Sequence, residues 1–452
     1  MRTLAIAAAL MLAFALALPL VARASDEPLA PYQWQQQQKA AFEQSERVYQ
    51  QALARKGLLA RYRAMRDAYR SNDDKAFRIV FGQYLSWYQS FVGDYVGAHD
   101  SYSIRQLAAP GDAPQPLAAG YAAQPAIDAI AALAHGRQAI FLNEAHNVPQ
   151  TRSLTVQLLA RLRADGYTHF AAETLYASDA DLARRGYPVE ASGFYTMEPV
   201  CAEMVRTALA LGFKVVAYES EQEGNGDVRE HAQAKNLYRR VFKDDPDARV
   251  VVNAGYAHIQ ENGRYLGGRS MAQHFRRISG IDPLTIEQTM LIEHPPGTEN
   301  HPWYHAVVDV VRPTRPVVMM KDGKPWSLKP GAYDASVFFP PVEVRAGRPT
   351  WAELGGLRRR YAVEGSFCQD RFPCLVEARP LAENDDAIPS DRLVLDPVKD
   401  AVRPQERLFQ RGAQVSGDLY LRPGRYRLVA VDDEDRPISR RTIDVAATEP
   451  AP

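Results

Sequence analysis

Between Gln138 and Gln288 short apolar runs alternate with segments of helical periodicity, and four of the runs end on an ionisable group. The runs are Gln138 to Asn143, His169 to Ala172, Phe213 to Tyr218, Arg249 to Asn253 and Leu284 to Gln288. Helical segments fall between them, from Pro149 to Ala164, Glu198 to Leu211, Val228 to Lys243 and Ser270 to Ile278. Such alternation specifies a parallel sheet with crossover helices. Pro149 suits a first helical turn, Gly166 and Gly212 suit helix stops, and Gly280 with Pro283 closes the last helix.

In an open parallel sheet, ligands bind outside the carboxyl ends of the strands. The groups standing there are Glu144 and His146 after the first run, Glu173 after the second, Glu219 after the third and His258 after the fourth. The two-residue spacing of Glu144 and His146 points both side chains the same way on extended backbone. Burial and crowding at such a place shift pKa values, as acid, base or ligand roles require. Each residue alone reads equally well as a satisfied polar strand end, but together they point to one shared site.

Two chemistries fit. In one, Glu144, His146, Glu173 and His258, with Glu219 as a further donor, bind a divalent metal that lowers the pKa of a water. This nitrogen and oxygen set suits zinc, manganese or cobalt. In the other, His146 is the general base, Glu144 orients it, and Arg152 or Arg229 stabilises an oxyanion. His135, His169, His231, His274, His301 and His305 have no comparable setting and read as surface or core histidines. Signatures of serine hydrolases, zinc ribbons, NTPases and Rossmann folds are missing.

The chain opens with Met1-Arg2, an apolar stretch from Leu4 to Val21 containing Pro19, then Ala22-Arg23-Ala24 before Ser25-Asp26-Glu27. That is the layout of a cleaved signal peptide, 1–24, which predicts export to a periplasm or the medium. No later stretch is apolar enough to span a bilayer. Lysine plus arginine equal aspartate plus glutamate at 54 each, a balance that gives no reason to expect nucleic acid as a partner.

Residues 25–108 read as helical. Phe77, Val80, Tyr84, Tyr88 and Val92 recur at helical spacing, and Asn72-Asp73-Asp74 supplies a capping signal. Residues 109–125, rich in alanine, proline and glycine, read as a linker, and 126–365 as the α/β core. From 366 to 452 short strands predict a small β-sandwich. Its clearest part is a hairpin system from Leu419 to Val445, turning at Pro423-Gly424 and again between Asp433 and Pro437. Cys368 and Cys374 are placed to close a disulfide in an oxidising compartment, whereas Cys201 reads as a buried inert thiol. The expected fold is therefore α/β: a three-layer parallel-sheet core, an N-terminal helical region and a C-terminal β-sandwich.

Asn143-Glu144-Ala145-His146, Glu173, the stretch Arg229 to Asn236, and Gly255-Tyr256-Ala257-His258 resemble motifs of the superfamily that groups erythromycin esterases, ChaN-like haem-binding proteins and TraB/Tiki-type proteases. The resemblance spans roughly Ala139 to Gln288 and implies a strand-end site. The first motif usually begins with glycine where this chain has Asn143, and Gly255-x-x-His258 follows the protease branch. The resemblance implies a hydrolase of an ester or amide, taking a small molecule or peptide. It also implies two rivals: a haem- or metal-chelate-binding protein, for which Tyr84, Trp87, Tyr88 and Tyr95 would supply a flat wall, and a scaffold without turnover.

Overall fold

The apolar runs form strands close to where their composition places them. The computed structural model describes residues 31–102, 113–220, 224, 226–295, 297–397 and 416–447. The expected signal peptide, 1–24, and residues 109–112 of the expected linker lie outside that range. Strands β1 (Ala122–Pro125), β2 (Ala139–Glu144), β3 (His169–Ala172), β4 (Lys214–Ala217), β5 (Val250–Gly255), β6 (Leu284–Glu287), β7 (Val317–Lys321) and β8 (Ala335–Phe338) build the central sheet. With the two-residue strand Lys324–Pro325 attached to β7, it is nine-stranded, in the order β1-β7-β8-β6-β2-β5-β3-β4. The strands from β2 to β6 and β8 pair in parallel, and β7 runs against its neighbours β1 and β8.

Alternate side chains of each strand enter opposite layers. Ile140 and Leu142 of β2 pack with the helices Ala126–Ala134, Gln150–Ala164 and Pro199–Ala210 on one face. Ala139 and Phe141 pack with Asp227–Val241, Met271–Ser279 and Pro302–Val311 on the other. The helix boundaries have local causes. Glu198 accepts the Val200 and Cys201 N–H groups, both at 2.7 Å, ahead of Pro199 in the first turn. Gly280 ends its helix in the left-handed region at φ 72°, which residues with a Cβ rarely adopt.

The N-terminal helices Pro31–Leu53, Leu58–Arg70, Lys75–Phe91 and Tyr95–Ser101 join the same core. Asp74 caps the third, accepting from Phe77 N at 2.7 Å. Its aromatic stripe is internal packing: Tyr84 lies 4.6 Å from Tyr49 between ring centres, and Trp87 meets Phe194 and Tyr195 edge-on. Tyr84, Trp87 and Tyr88 are buried in this cluster, so they do not present an open flat wall.

Strand pairing adds detail at the edges of the α/β part. Residues 122–125, inside the stretch expected to be a linker, form β1, paired with β7. Such a short edge strand has no apolar alternation to betray it. The C-terminal antiparallel sheets take in Arg359–Glu364, which lies inside the stretch expected to be α/β core and pairs with Ser416–Leu421. A second sheet has the order Asp391–Leu395, Cys374–Pro380, Gly424–Val431, Pro437–Val445, and the two sheets share a core containing Val363, Val376, Leu419 and Leu428.

The turn at Pro423-Gly424 is a correction. It does not close a hairpin, because Ser416–Leu421 pairs with Arg359–Glu364 while Gly424–Val431 pairs with strands of the other sheet. Arg422, held by Glu203 and by Thr207 Oγ1 at 3.0 Å, anchors the crossing between sheets. The second turn does close a hairpin, Gly424–Val431 with Pro437–Val445. Cys368 and Cys374 are joined as a disulfide, and Cys201 is buried.

Candidate functional site

The carboxyl ends of β2, β3 and β5 lie side by side, with β4 outside β3, so their terminal residues converge. Glu144, His146, Glu173, His258, Arg152 and Arg229 are all buried, and Glu219 joins them through Arg229. They form two ionic clusters that meet at Gly255.

The first cluster is centred on Glu144. His146 Nδ1 lies 2.9 Å from its Oε1, and Arg152 donates from Nε to Oε2 at 2.8 Å and from Nη2 to Oε1 at 2.6 Å. Arg152 also reaches Glu198 Oε2 at 3.2 Å and the His146 carbonyl at 3.2 Å. Tyr95 completes the chain by donating its hydroxyl to Glu198 Oε1 at 2.9 Å. The His146 ring is fixed by stacking on Tyr195, 4.0 Å between centres at 12°, and by Tyr256 edge-on at 5.1 Å.

The second cluster is centred on Glu173. It accepts from Arg229 Nη2 at 2.6 Å and from Gly255 N at 2.6 Å, and His258 Nε2 stands 3.3 Å from Oε1. His258 Nδ1 lies 2.8 Å from the Glu230 carboxylate, which also accepts Met271 N at 2.7 Å. Arg229 holds Glu219 too, with Nη2 at 2.5 Å, while Gln233 Nε2 donates to the same carboxylate at 3.0 Å.

Charge follows this geometry. Burial alone would raise the Glu144 pKa, but Arg152 and His146 outweigh it and hold the carboxyl at about 2. Burial likewise opposes ionisation of Glu173, yet His258, Arg229 and His146 drive its pKa far below the usual range. For His258 burial pulls downward, and Glu173 with Glu230 wins, raising its pKa. Burial dominates at Glu198 and raises its pKa.

A pH profile of stability follows. Glu144 and Glu173 have depressed folded pKa values, so their contribution is complete above the ordinary 4.5 and is lost as pH falls through the folded values, about 2 for Glu144. His258 has a raised folded pKa, so its contribution is complete below the ordinary 6.5 and is lost as pH climbs through the folded value. Urea unfolding is expected to be strongest between those limits and to weaken on both sides. A profile that keeps rising above neutrality would show that His258 is not held as an imidazolium.

Gly255 joins the clusters because no larger residue fits. A Cβ there would stand 2.4 Å from His146 Cε1, 2.5 Å from its Nε2 and 3.2 Å from Glu173 Oε2, although φ at −73° would suit any residue. Gly255→Ala is therefore expected to displace the His146 ring at a cost of about 1–3 kcal/mol. Chemical denaturation and the His146 ring resonances check this. Unchanged resonances would mean that the glycine is not reserving that space.

The donor set does not fit a divalent cation. Both Glu144 oxygens are taken by Arg152, Glu173 is shared by Arg229 and a backbone N–H, and His258 Nε2 lies 3.4 Å from the Arg229 guanidinium. Buried guanidinium cations already hold the sites that a metal would claim. Among the described residues no group of three or more His, Cys, Asp or Glu side chains is placed to hold a metal ion.

The other histidines stand apart from these clusters. His135 pairs with Asp165 at 2.7 Å on the surface, His169 contacts Thr168 Oγ1 at 2.9 Å, and His231 and His274 pack edge to face, 5.1 Å apart. His301 accepts Trp303 N at 3.1 Å as a helix cap, and His305 lies 3.1 Å from Asn300 Nδ2.

Sequence reasoning did not single out Glu198, Glu230, Tyr195 or Glu287. The signal for Glu198 was its place before Pro199 at a helix start, and for Glu230 its place beside Arg229. Glu287 ends β6 and accepts from Thr289 N and Met290 N, with Asn143 Nδ2 at 3.3 Å. Asn143 joins neither ionic cluster. It donates to the Tyr256 carbonyl at 2.8 Å and accepts Gln288 N at 2.6 Å, tying the ends of β2, β5 and β6 together.

No family model and no curated protein matches this chain. Among solved structures, the type III effector HopBA1 matches at 13% identity and a TM-score of 0.28, over 37% of this chain and 87% of that one. A crystal structure of bacterial protein toxins matches at 17% identity and a TM-score of 0.28, over 37% of each chain. RRSP, a MARTX toxin effector domain from Vibrio vulnificus, matches at 14% identity and a TM-score of 0.27, over 50% of this chain and 51% of that one. The chain spans about half or less of the last two. Likenesses this distant bear on neither chemistry nor partners.

Proposed function

We propose that the protein is an exported hydrolase that adds water to an ester or amide carbonyl, with His146 as general base. The observation that supports this most is the 2.9 Å contact from His146 Nδ1 to a Glu144 carboxylate itself clamped by Arg152. With the proton on Nδ1, Nε2 carries the lone pair and faces the Gly255 side of the site. A water that reaches Nε2 gives its proton to it as its oxygen attacks the carbonyl carbon. Arg229 and protonated His258 stabilise the oxyanion. As the tetrahedral intermediate collapses, His146 returns the proton to the departing alcohol or amine, and Glu144 balances the transient imidazolium. The N-terminal leader supports export.

This reading takes the metal-free of the two chemistries, since arginine already neutralises the carboxylates. Extensive chelation is therefore expected to leave turnover of p-nitrophenyl acetate, or of a matched p-nitroanilide, unchanged. Turnover that vanishes on chelation and returns with zinc, manganese or cobalt would overturn it and assign Glu144, His146, Glu173 and His258 to a metal. The haem-binding reading has less support, because three of its four expected wall aromatics, Tyr84, Trp87 and Tyr88, are closed into the core, while Tyr95 borders a cavity. A haemin titration showing stoichiometric binding with no esterase activity would restore it.

A further inference from the structure

Tyr95 opens the helix Tyr95–Ser101 and is buried. Its hydroxyl donates to Glu198 Oε1 at 2.9 Å, and Glu198 Oε2 accepts Arg152 Nη1 at 3.2 Å. Arg152 in turn holds His146 twice. It donates to the His146 carbonyl at 3.2 Å, and it clamps Glu144, whose Oε1 lies 2.9 Å from His146 Nδ1. A chain of hydrogen bonds thus runs from Tyr95 to the imidazole.

Both ends of the Tyr95 to Glu198 bond are gripped by one strand of the C-terminal sandwich, Asp391–Leu395. Asp391 accepts Arg348 Nη2 on both carboxylate oxygens at 2.7 Å. Arg348 also donates from Nη1 to the Gly93 carbonyl at 2.5 Å, two residues before Tyr95, and its guanidinium lies 4.9 Å from the centre of the Tyr95 ring. Arg392 donates from Nη1 to the Phe91 carbonyl at 3.1 Å and to the Met197 carbonyl at 2.7 Å, the second standing directly before Glu198. Gly93 has φ 81°, and a Cβ there would run into the Arg392 carbonyl, so the chain passes this strand at a distance that only glycine allows. Trp351 packs on the Tyr95 ring, 5.0 Å between centres.

We propose that Tyr95 is a positioning residue for the hydrolytic site, holding His146 in place through Glu198 and Arg152, and that the C-terminal sandwich serves the site by fixing Tyr95 against Glu198. This rests on the reading of His146 as general base. Burial, with Glu198 and Asp391 nearby, raises the Tyr95 pKa well above its ordinary 10 against the pull of Arg348 and Arg358, so the hydroxyl keeps its proton and donates. Burial also raises the Glu198 pKa, opposed by Arg152, the Val200 and Cys201 N–H groups and the Tyr95 hydroxyl. The Cys201 thiol, its own pKa raised by burial, adds no charge there near neutral pH. Without the hydroxyl, Glu198 takes up a proton at a higher pH than in the wild type. It then holds the guanidinium less firmly, because an ionised acceptor makes the stronger bond.

The test compares the full-length wild type with Tyr95→Phe, which keeps the ring against Arg348 and Trp351 and removes only the hydroxyl. Kinetics on p-nitrophenyl acetate at neutral pH are expected to show kcat lowered about tenfold, the loss of one hydrogen bond to a charged group, with KM unchanged. The acid limb of the kcat profile is expected to move to higher pH, and the His146 ring resonances to shift. Unchanged kcat, a KM that rises in step, an acid limb that stays in place or unmoved resonances would each overturn the proposal and leave Tyr95 a packing residue. A wild type that turns over neither the ester nor a matched p-nitroanilide would sink the hydrolytic reading by itself. The resonances then decide the positioning role, since they need no turnover: shifted signals keep it and unmoved ones end it.

Discussion

His146→Gln is expected to lower ester or amide turnover by about 10²–10⁴ while leaving the fold in place, the usual range for removing a general base. Glutamine has a similar reach and its amide N–H still donates to Glu144, but it has no basic nitrogen at the position of Nε2. The stability cost is limited to the stacking on Tyr195 and the edge contact with Tyr256. Aromatic contacts of this kind are worth about 0.5–1.5 kcal/mol beyond their area. Steady-state kinetics on the probe ester and urea unfolding on the same preparation separate the two roles. Lost turnover with a stability change below about 1.5 kcal/mol supports the base. Retained turnover moves the base elsewhere, and a loss above about 3 kcal/mol makes His146 a structural histidine.

The part of this site that was legible in the sequence is the part written in local pattern. β3 matches its expected range, and β2, β5 and β6 match to within two residues at either end, because an apolar run stopped by a polar residue fixes where burial ends. Glu144, His146, Glu173, Glu219 and His258 followed, since each is the polar residue that stops or trails such a run. What the pattern does not carry is the partner across the fold. Glu198 reaches Arg152 from a helix cap 46 positions away, and Tyr95 reaches Glu198 across 103. A glutamate before a proline looks the same whether it caps a helix only or also neutralises a buried arginine. The same limit misplaced Pro423-Gly424: a turn signal is local, whereas the sheet to which each flanking strand belongs is settled by packing between Arg359–Glu364 and Ser416–Leu421.

Arg152 carries the second large effect, this time on stability. Its side chain has no solvent exposure, and it sits between Glu144 and Glu198, both buried. Arg152→Met fills a similar volume but removes the cation, leaving two carboxylates in a region that water does not reach. Breaking a buried ion pair from one side costs about 3–5 kcal/mol, because the partner's charge is left without compensation. Glu198 keeps Val200 N, Cys201 N and the Tyr95 hydroxyl, so the burden falls on Glu144, left with His146 alone. The Glu144 pKa then rises, since Arg152 is the strongest of the influences holding it down against burial. Stability that the wild type loses only as pH falls toward about 2 should in the variant be lost from a higher pH. The double variant Arg152→Met/Glu144→Gln isolates the cause, for with the charge gone from position 144 much of the single variant's loss should return. Urea unfolding of the four proteins at neutral and mildly acidic pH gives the coupling directly. A single variant that loses less than about 1 kcal/mol, or a double variant that recovers nothing, would show that Arg152 does not neutralise Glu144 and would remove the support on which His146 depends.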